Sequence, residues 1–156
     1  MLKASEMTEA YAEQISKWQY PAPYTIYSMK ANDEEIDQLM NGLHGAVLNE
    51  KGELTGFLAF GWAAQVLGEG SAHIYEDETY SDIALGLKPE LCGKGLGTEL
   101  VKCAVSFIKE LFPGDGVRLT VREDNARAIK VYERAGFKLS EAFIHEDGVK
   151  YITMIL

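Results

Sequence analysis

Three glycines at alternate positions, Gly93, Gly95 and Gly97, lie within the run Leu91-Cys92-Gly93-Lys94-Gly95-Leu96-Gly97-Thr98. An apolar run, Ile83 to Leu87, leads into them, Lys88-Pro89-Glu90 ends that run, and a long amphipathic segment follows. Strand, glycine-rich turn and helix together point unpaired backbone N–H groups at a phosphate. The first turn of a helix has donors without intrahelical partners, and the helix dipole adds partial positive charge there. Glycine lets the backbone come close and take positive φ without a Cβ clash. A phosphate-bearing ligand at residues 93 to 98 is therefore the first expectation. A P-loop would end in Gly-Lys-Ser/Thr, but Lys94 is followed by Gly95. A dinucleotide fingerprint needs G-x-G-x-x-G in an early βαβ unit, and both spacing and position are wrong here. Cys92 adds a candidate thiol, because a helix start lowers a thiol pKa.

The totals narrow the classes. The chain has 156 residues, 47% hydrophobic and 25% charged, which suits one globular domain over residues 1–156. No apolar run approaches the ~18 residues of a membrane span. The start, Met1-Leu2-Lys3-Ala4-Ser5-Glu6, lacks the apolar core of a secretion signal, so a cytoplasmic protein is expected. Two cysteines, Cys92 and Cys103, make neither a disulfide framework nor a zinc site, and no metal is expected. A net charge of −9 argues against a nucleic-acid partner.

These residues need elements to hold them. Leu2–Ala4 reads as an edge strand. Thr8 to Gln19 reads as a helix with Tyr11, Ile15 and Trp18 at helical spacing, capped by Ser5 or Thr8. Two prolines keep Tyr20 to Tyr27 out of a helix. This aromatic loop either packs on the core or forms a lid lining a substrate. Asn32 caps a helix through Asn41, ended by Gly42. Ala46–Leu48 and Leu54–Trp62 are strands joined by the turn Asn49 to Gly52. Residues 63 to 79 form another strand or an irregular stretch. The central strand, Ser81–Leu87, reads as buried on both faces. After the glycine turn, Leu96, Leu100, Ala104, Ile108 and Leu111 form the buried stripe of a helix. Val117–Val121 alternates as a strand. Asn125 caps a short helix that buries Ala128, Ile129, Val131, Tyr132 and Ala135 and ends at Gly136. Phe137–Ile144 and Val149–Ile155 form the last hairpin, turning at Glu146-Asp147-Gly148.

The glycine turn and a second signature, Asn125-x-x-Ala128-x-x-x-Tyr132-Glu133-x-x-Gly136-Phe137, stand in order across residues 80 to 137. Together they resemble the GCN5-related N-acetyltransferases (GNAT), in which Arg/Gln-x-x-Gly-x-Gly/Ala follows a strand and an Asn and a Tyr lie on the next short helix. Cys92 departs from this pattern, standing at a supporting position where the family usually has Arg or Gln. The resemblance implies an α/β (α+β) fold. It would be a mixed, mostly antiparallel sheet with a central splayed parallel strand pair, flanked by helices.

The resemblance also implies acetyl-CoA as acyl donor and direct transfer to an amine. Backbone groups of Leu85, Gly86 and Leu87 would pair with the pantetheine arm as a pseudo-strand. Amides of Gly93, Lys94, Gly95, Leu96, Gly97 and Thr98 would hold the pyrophosphate, with Lys94 adding charge. Asn125 would hydrogen-bond the pantetheine. Tyr132 would give a proton to the leaving thiolate, and the amide near Leu85 would polarise the carbonyl. Asp82, the only carboxylate of the central strand, is a candidate general base, since burial makes a carboxyl hold its proton more tightly. A strand-start carboxylate bonded to backbone is the other reading. His73, Glu78 and His145 are weaker base candidates, and a water chain is an alternative. The acceptor walls are expected from Tyr20–Tyr27 and Phe143–Tyr151, whose aromatic and acidic character favours a small cationic amine. The expected partners are a small-molecule amine or a protein amino group, with a homodimer open and neither nucleic acid nor membrane. A non-catalytic acetyl-CoA sensor or assembly module is the reading from another class.

Overall fold

The computed structural model describes residues 1–156. Its elements run β1 (Lys3–Glu6), α1 (Glu9–Ser16), α2 (Asp33–Leu39), β2 (His44–Leu48), β3 (Leu54–Phe60), α3 (Ala72–Tyr75) and β4 (Tyr80–Leu87). There follow α4 (Gly97–Leu111), β5 (Gly116–Arg122), α5 (Ala126–Arg134), β6 (Lys138–Ile144) and β7 (Lys150–Ile155). One seven-stranded sheet has the order β1-β2-β3-β4-β5-β7-β6. All its neighbours are antiparallel except β4 and β5. The mixed sheet with a central parallel pair and flanking helices is as the sequence led us to expect.

The helix starts are set locally. Thr8 Oγ1 accepts from the Tyr11 N–H (3.2 Å) and Asn32 Oδ1 from the Glu35 N–H (2.8 Å), both ordinary N-caps. The first helix stops three residues short of the expected Gln19. Its last carbonyls turn to the returning chain: Ala31 N–H donates to Ser16 O and Met29 N–H to Trp18 O, both at 2.9 Å. Tyr20 N–H goes to Ser28 Oγ (2.8 Å) rather than to a helical carbonyl. Residues 63 to 79 hold no strand. A 3₁₀ turn at Gly61–Ala64 and the single turn of α3 fill the stretch, pinned by Ser71 Oγ donating to Val66 O (2.7 Å).

The main core lies between the sheet and α4, where Leu100, Val101, Ala104 and Ile108 meet Leu58, Ile83, Val117 and Leu119. A second core joins α1 and α2 to β2 through Ala12, Ile15, Trp18, Leu39 and Ala46. Leu111, expected in the buried stripe, is exposed where the last turn of α4 overhangs the sheet. The central strand departs further from expectation. Only Asp82 and Ile83 are buried, while Ala84 to Leu87 are half-buried. The apolar side of α5 is likewise only half-buried. Both facts have one cause, a cavity between β4, β5 and α5.

Candidate active site

That cavity arises from the strand register. β4 pairs with β5 at Tyr80↔Gly116, Ser81↔Val117, Asp82↔Arg118 and Ile83↔Leu119, and no further. Beyond Ile83, β4 keeps only its β3 neighbour, through Leu85↔Leu58, Gly86↔Phe57 and Leu87↔Gly56. Lys88 N–H donates to Thr55 O at 2.8 Å, which sets the alternation. The peptide groups of Gly86 point to β3, and those of Leu85 and Leu87 face the gap. Gly86 serves a different need: a Cβ there would sit 2.3 Å from Phe57 Cε1, so only glycine lets that ring lie across the strand.

The cavity measures about 940 Å³. Its wall gathers Leu85, Gly86 and Leu87 from β4, Gly93, Gly95, Gly97 and Thr98 from the glycine turn, and Asn125 and Tyr132 from α5. Lys94 and Leu96 do not line it. Gly93 (φ +75°) and Gly95 (φ +80°) take the left-handed backbone that glycine allows, with nothing within 4 Å of where a Cβ would stand. Gly97 is small for another reason, since its Cβ would meet Val131 at 3.1 Å where α4 and α5 cross. The turn thus brings open backbone to the cavity at a helix start, a place suited to phosphate oxygens. Arg127, Lys130 and Arg134, one face of α5, join the wall with positive charge. That i, i+3, i+7 spacing was readable in the sequence once α5 was placed.

Tyr132 is half-buried on α5, edge-on to Phe137 at 6.2 Å. Burial, helped by Tyr27, pushes its hydroxyl up to about 12, so it holds a proton at neutral pH. Asn125 is the N-cap of α5: its Oδ1 accepts from the Ala128 N–H (3.2 Å) and its Nδ2 donates to Tyr27 Oη (3.1 Å). Two further contacts come from the same aromatic loop. Tyr20 Oη donates to Leu87 O at 2.7 Å, and Arg127 lies 3.8 Å over the Tyr24 ring. Tyr20, Ile26 and Tyr27 line the cavity while Tyr20 also packs on the second core, so the loop touches both. The partners of Tyr20 and Tyr24 lie 67 and more than 100 positions along the chain, and no local pattern announces them.

Asp82 stands elsewhere. Arg118 Nε and Nη2 donate to its two oxygens at 2.7 and 2.8 Å, and Gln65 Nε2 donates at 3.0 Å. Both partners of this pair are 3% exposed. Asp82 and Glu78 belong to a smaller, 440 Å³ cavity rather than to the large one. The remaining donors of Arg118 reach Ile74 O and Asp77 O, and its guanidinium lies over Tyr75 at 5.2 Å. A general base must reach the reacting amine, and Asp82, paired to Arg118, does not line the large cavity where the expectation would need it. His73 is exposed beside Glu141 (3.5 Å), and His145 spans Leu67 O (3.1 Å) and Asp147 (3.3 Å). None of these lines the large cavity. The Cys92 thiol lines it, but burial raises its pKa, the reverse of an activated thiolate. No group of histidine, cysteine and carboxylate side chains is arranged to hold a metal ion. No helix is long and apolar enough to cross a membrane.

The chain is similar to known proteins. Residues 10–137 match the model of the acetyltransferase (GNAT) family. The chain is 26% identical over 91 residues to a spermine/spermidine N(1)-acetyltransferase of Bacillus subtilis, an alignment covering 58% of this chain and 56% of that one. The match thus spans little more than half the length of this relative. An aminoglycoside acetyltransferase, AAC(6')-Ib, solved with coenzyme A, superposes with a TM-score of 0.78 at 22% identity over 100% of this chain and 94% of the other. A GNAT-family acetyltransferase from Bacillus anthracis gives 0.74 at 14% identity over 99% and 93%. At these identities the likeness to solved structures is one of fold.

Proposed function

Since the chain belongs to the GNAT family of acetyltransferases, we propose that it moves an acetyl group from acetyl-CoA directly to a primary amine, carried by a small molecule or a protein. The observation that carries this reading is the single cavity that brings together the free edge of β4, the glycine turn and Tyr132. Acetyl-CoA supplies the acetyl group as an activated thioester. In this reading the amides of residues 93 to 98 and the α5 cations bind its phosphates. Leu85 and Leu87 offer their gap-facing peptide groups to the pantetheine arm, as an edge strand does to an added strand. Asn125 offers its Nδ2 once Tyr27 yields. The Leu85 N–H steadies charge on the thioester oxygen. Tyr132 Oη gives its proton to the departing sulfur. A C–N bond forms and a C–S bond breaks, and the amine loses one proton while the thiol gains one. The cavity wall contains no histidine or carboxylate, so the amine proton leaves through water.

The test is thiol release from acetyl-CoA against a broad panel of amines. Release that depends on the amine, with stoichiometric acetyl-amine by mass spectrometry, is the expected result. Tight acetyl-CoA binding by calorimetry without release for any amine would instead favour a binding module.

A further inference from the structure

The cavity wall has a charge opposite to that of the molecule. The chain carries a net charge of −9. Yet the wall holds Arg122, Arg127, Lys130 and Arg134 and no aspartate or glutamate. The acidic residues of the last hairpin, Glu146 and Asp147, lie exposed outside it. The α5 cations sit on the side of the glycine turn, with Arg127 beside Cys92. Arg122 sits at the other end with Tyr27 and Tyr151, each close enough to feel its charge, and Tyr151 is its register partner on β7. Tyr27 in turn neighbours Tyr132. At that end of the cavity Tyr27, Tyr151 and Arg122 line the wall, with Asp124, paired to Arg122, and Asp147 just outside it.

Arg122 is paired from the solvent side. Its Nε and Nη2 donate to Asp124 at 3.0 and 2.9 Å, but the Asp124 side chain is 69% exposed against 19% for Arg122. The fork is well formed, but its carboxylate sits in water, so a carboxylate arriving from the cavity side can compete for the guanidinium. A polyamine or aminoglycoside would bring its extra ammonium groups against this guanidinium, with the nearest carboxylates, Asp124 and Asp147, outside the cavity wall.

We propose that the acceptor is an amine that also bears a carboxylate, of the amino-acid or peptide-end type, and that Arg122 reads that carboxylate. This rests on the acetyl-transfer reading above. The experiment compares thiol release with L-phenylalanine, L-phenylalanine amide, spermidine and kanamycin, each corrected to its concentration of neutral amine. In the wild-type protein, kcat/KM for the acid should exceed that for the amide at least tenfold, a comparison independent of any variant's folding. In Arg122→Gln that ratio should fall to near one, with KM for acetyl-CoA within twofold of wild type. Arg122→Lys should restore part of the preference. An acid-to-amide ratio near one in wild type, a ratio unchanged in Arg122→Gln, or spermidine or kanamycin outpacing the acid tenfold overturns the proposal while leaving acetyl transfer standing. Release with none of the four or any other amine, despite acetyl-CoA binding, overturns the transfer reading and this proposal with it.

Discussion

Any tyrosine is protonated at neutral pH, and burial extends that range for Tyr132 toward about 12, which suits a donor that must hold its proton until the leaving group needs it. Removing that hydroxyl while keeping the ring separates donation from packing. Tyr132→Phe is expected to slow thiol release at least tenfold while the acetyl-CoA dissociation constant stays within about threefold, the size of effect usual for a positioned acid. The raised pKa of about 12 also gives a pH signature. With Tyr132 protonated throughout the neutral range, kcat/KM should climb with pH as the amine loses its proton. It should not turn down before about pH 10, the ordinary tyrosine value. A downturn between pH 7 and 9 would remove Tyr132 from the acid role. The same shift favours the folded state fully below about pH 10, and that contribution is lost as pH rises toward about 12.

The glycine turn acts as an element, not as three separate residues. Gly93 and Gly95 hold positive φ and leave the backbone open, and Gly97 lets α5 cross close to α4. Gly95→Asp combines a strained backbone with negative charge in the cradle, and acetyl-CoA binding should fall below detection by calorimetry. Binding that survives this change would displace the donor site from the turn. The aromatic loop is the second element at this site. Its Tyr20, Tyr24 and Tyr27 contacts to Leu87, Arg127 and Asn125 fix it across the cavity mouth. Tyr20→Phe frees the Leu87 carbonyl on the strand edge. It is expected to change acetyl-CoA affinity by three- to tenfold with melting temperature nearly constant, and unchanged affinity would show that the donor does not use that edge.

At the scale of the molecule, the Asp82–Arg118 pair joins the two parallel strands where they still touch and ties α3 to them through Ile74 O. Removing one partner leaves the other charged and buried, which costs about 3–5 kcal/mol. Asp82→Ala and Arg118→Met should each lower stability by that order in urea unfolding. Asp82→Asn, where it folds, should keep kcat within a few fold, whereas a thousandfold loss would return Asp82 to the chemistry. Ligand linkage supplies a global check. Acetyl-CoA at 100 times its dissociation constant should add about 2.7 kcal/mol, or roughly 5–11 °C in Tm for a chain of this size. Gly95→Asp should show no such shift.

The sequence alone determined most of the elements and their order, because caps, glycines and hydrophobic periods act within a few residues; residues 63 to 79, with no clear period, were the exception. Thr8, Asn32 and Asn125 cap the helices they announce. The glycine turn and the Asn125–Phe137 signature together pointed to one family. Only the tertiary structure decided what Asp82 is. A carboxylate in an apolar strand looks like a base until Arg118, 36 residues away, is seen to occupy both its oxygens. The tertiary structure also decided that Gly86 faces β3, that Tyr20, Ile26 and Tyr27 line the large cavity, and that an acidic chain lines this cavity with arginine and lysine. Net charge sums over the whole surface, whereas a ligand meets only the side chains that folding turns toward one space.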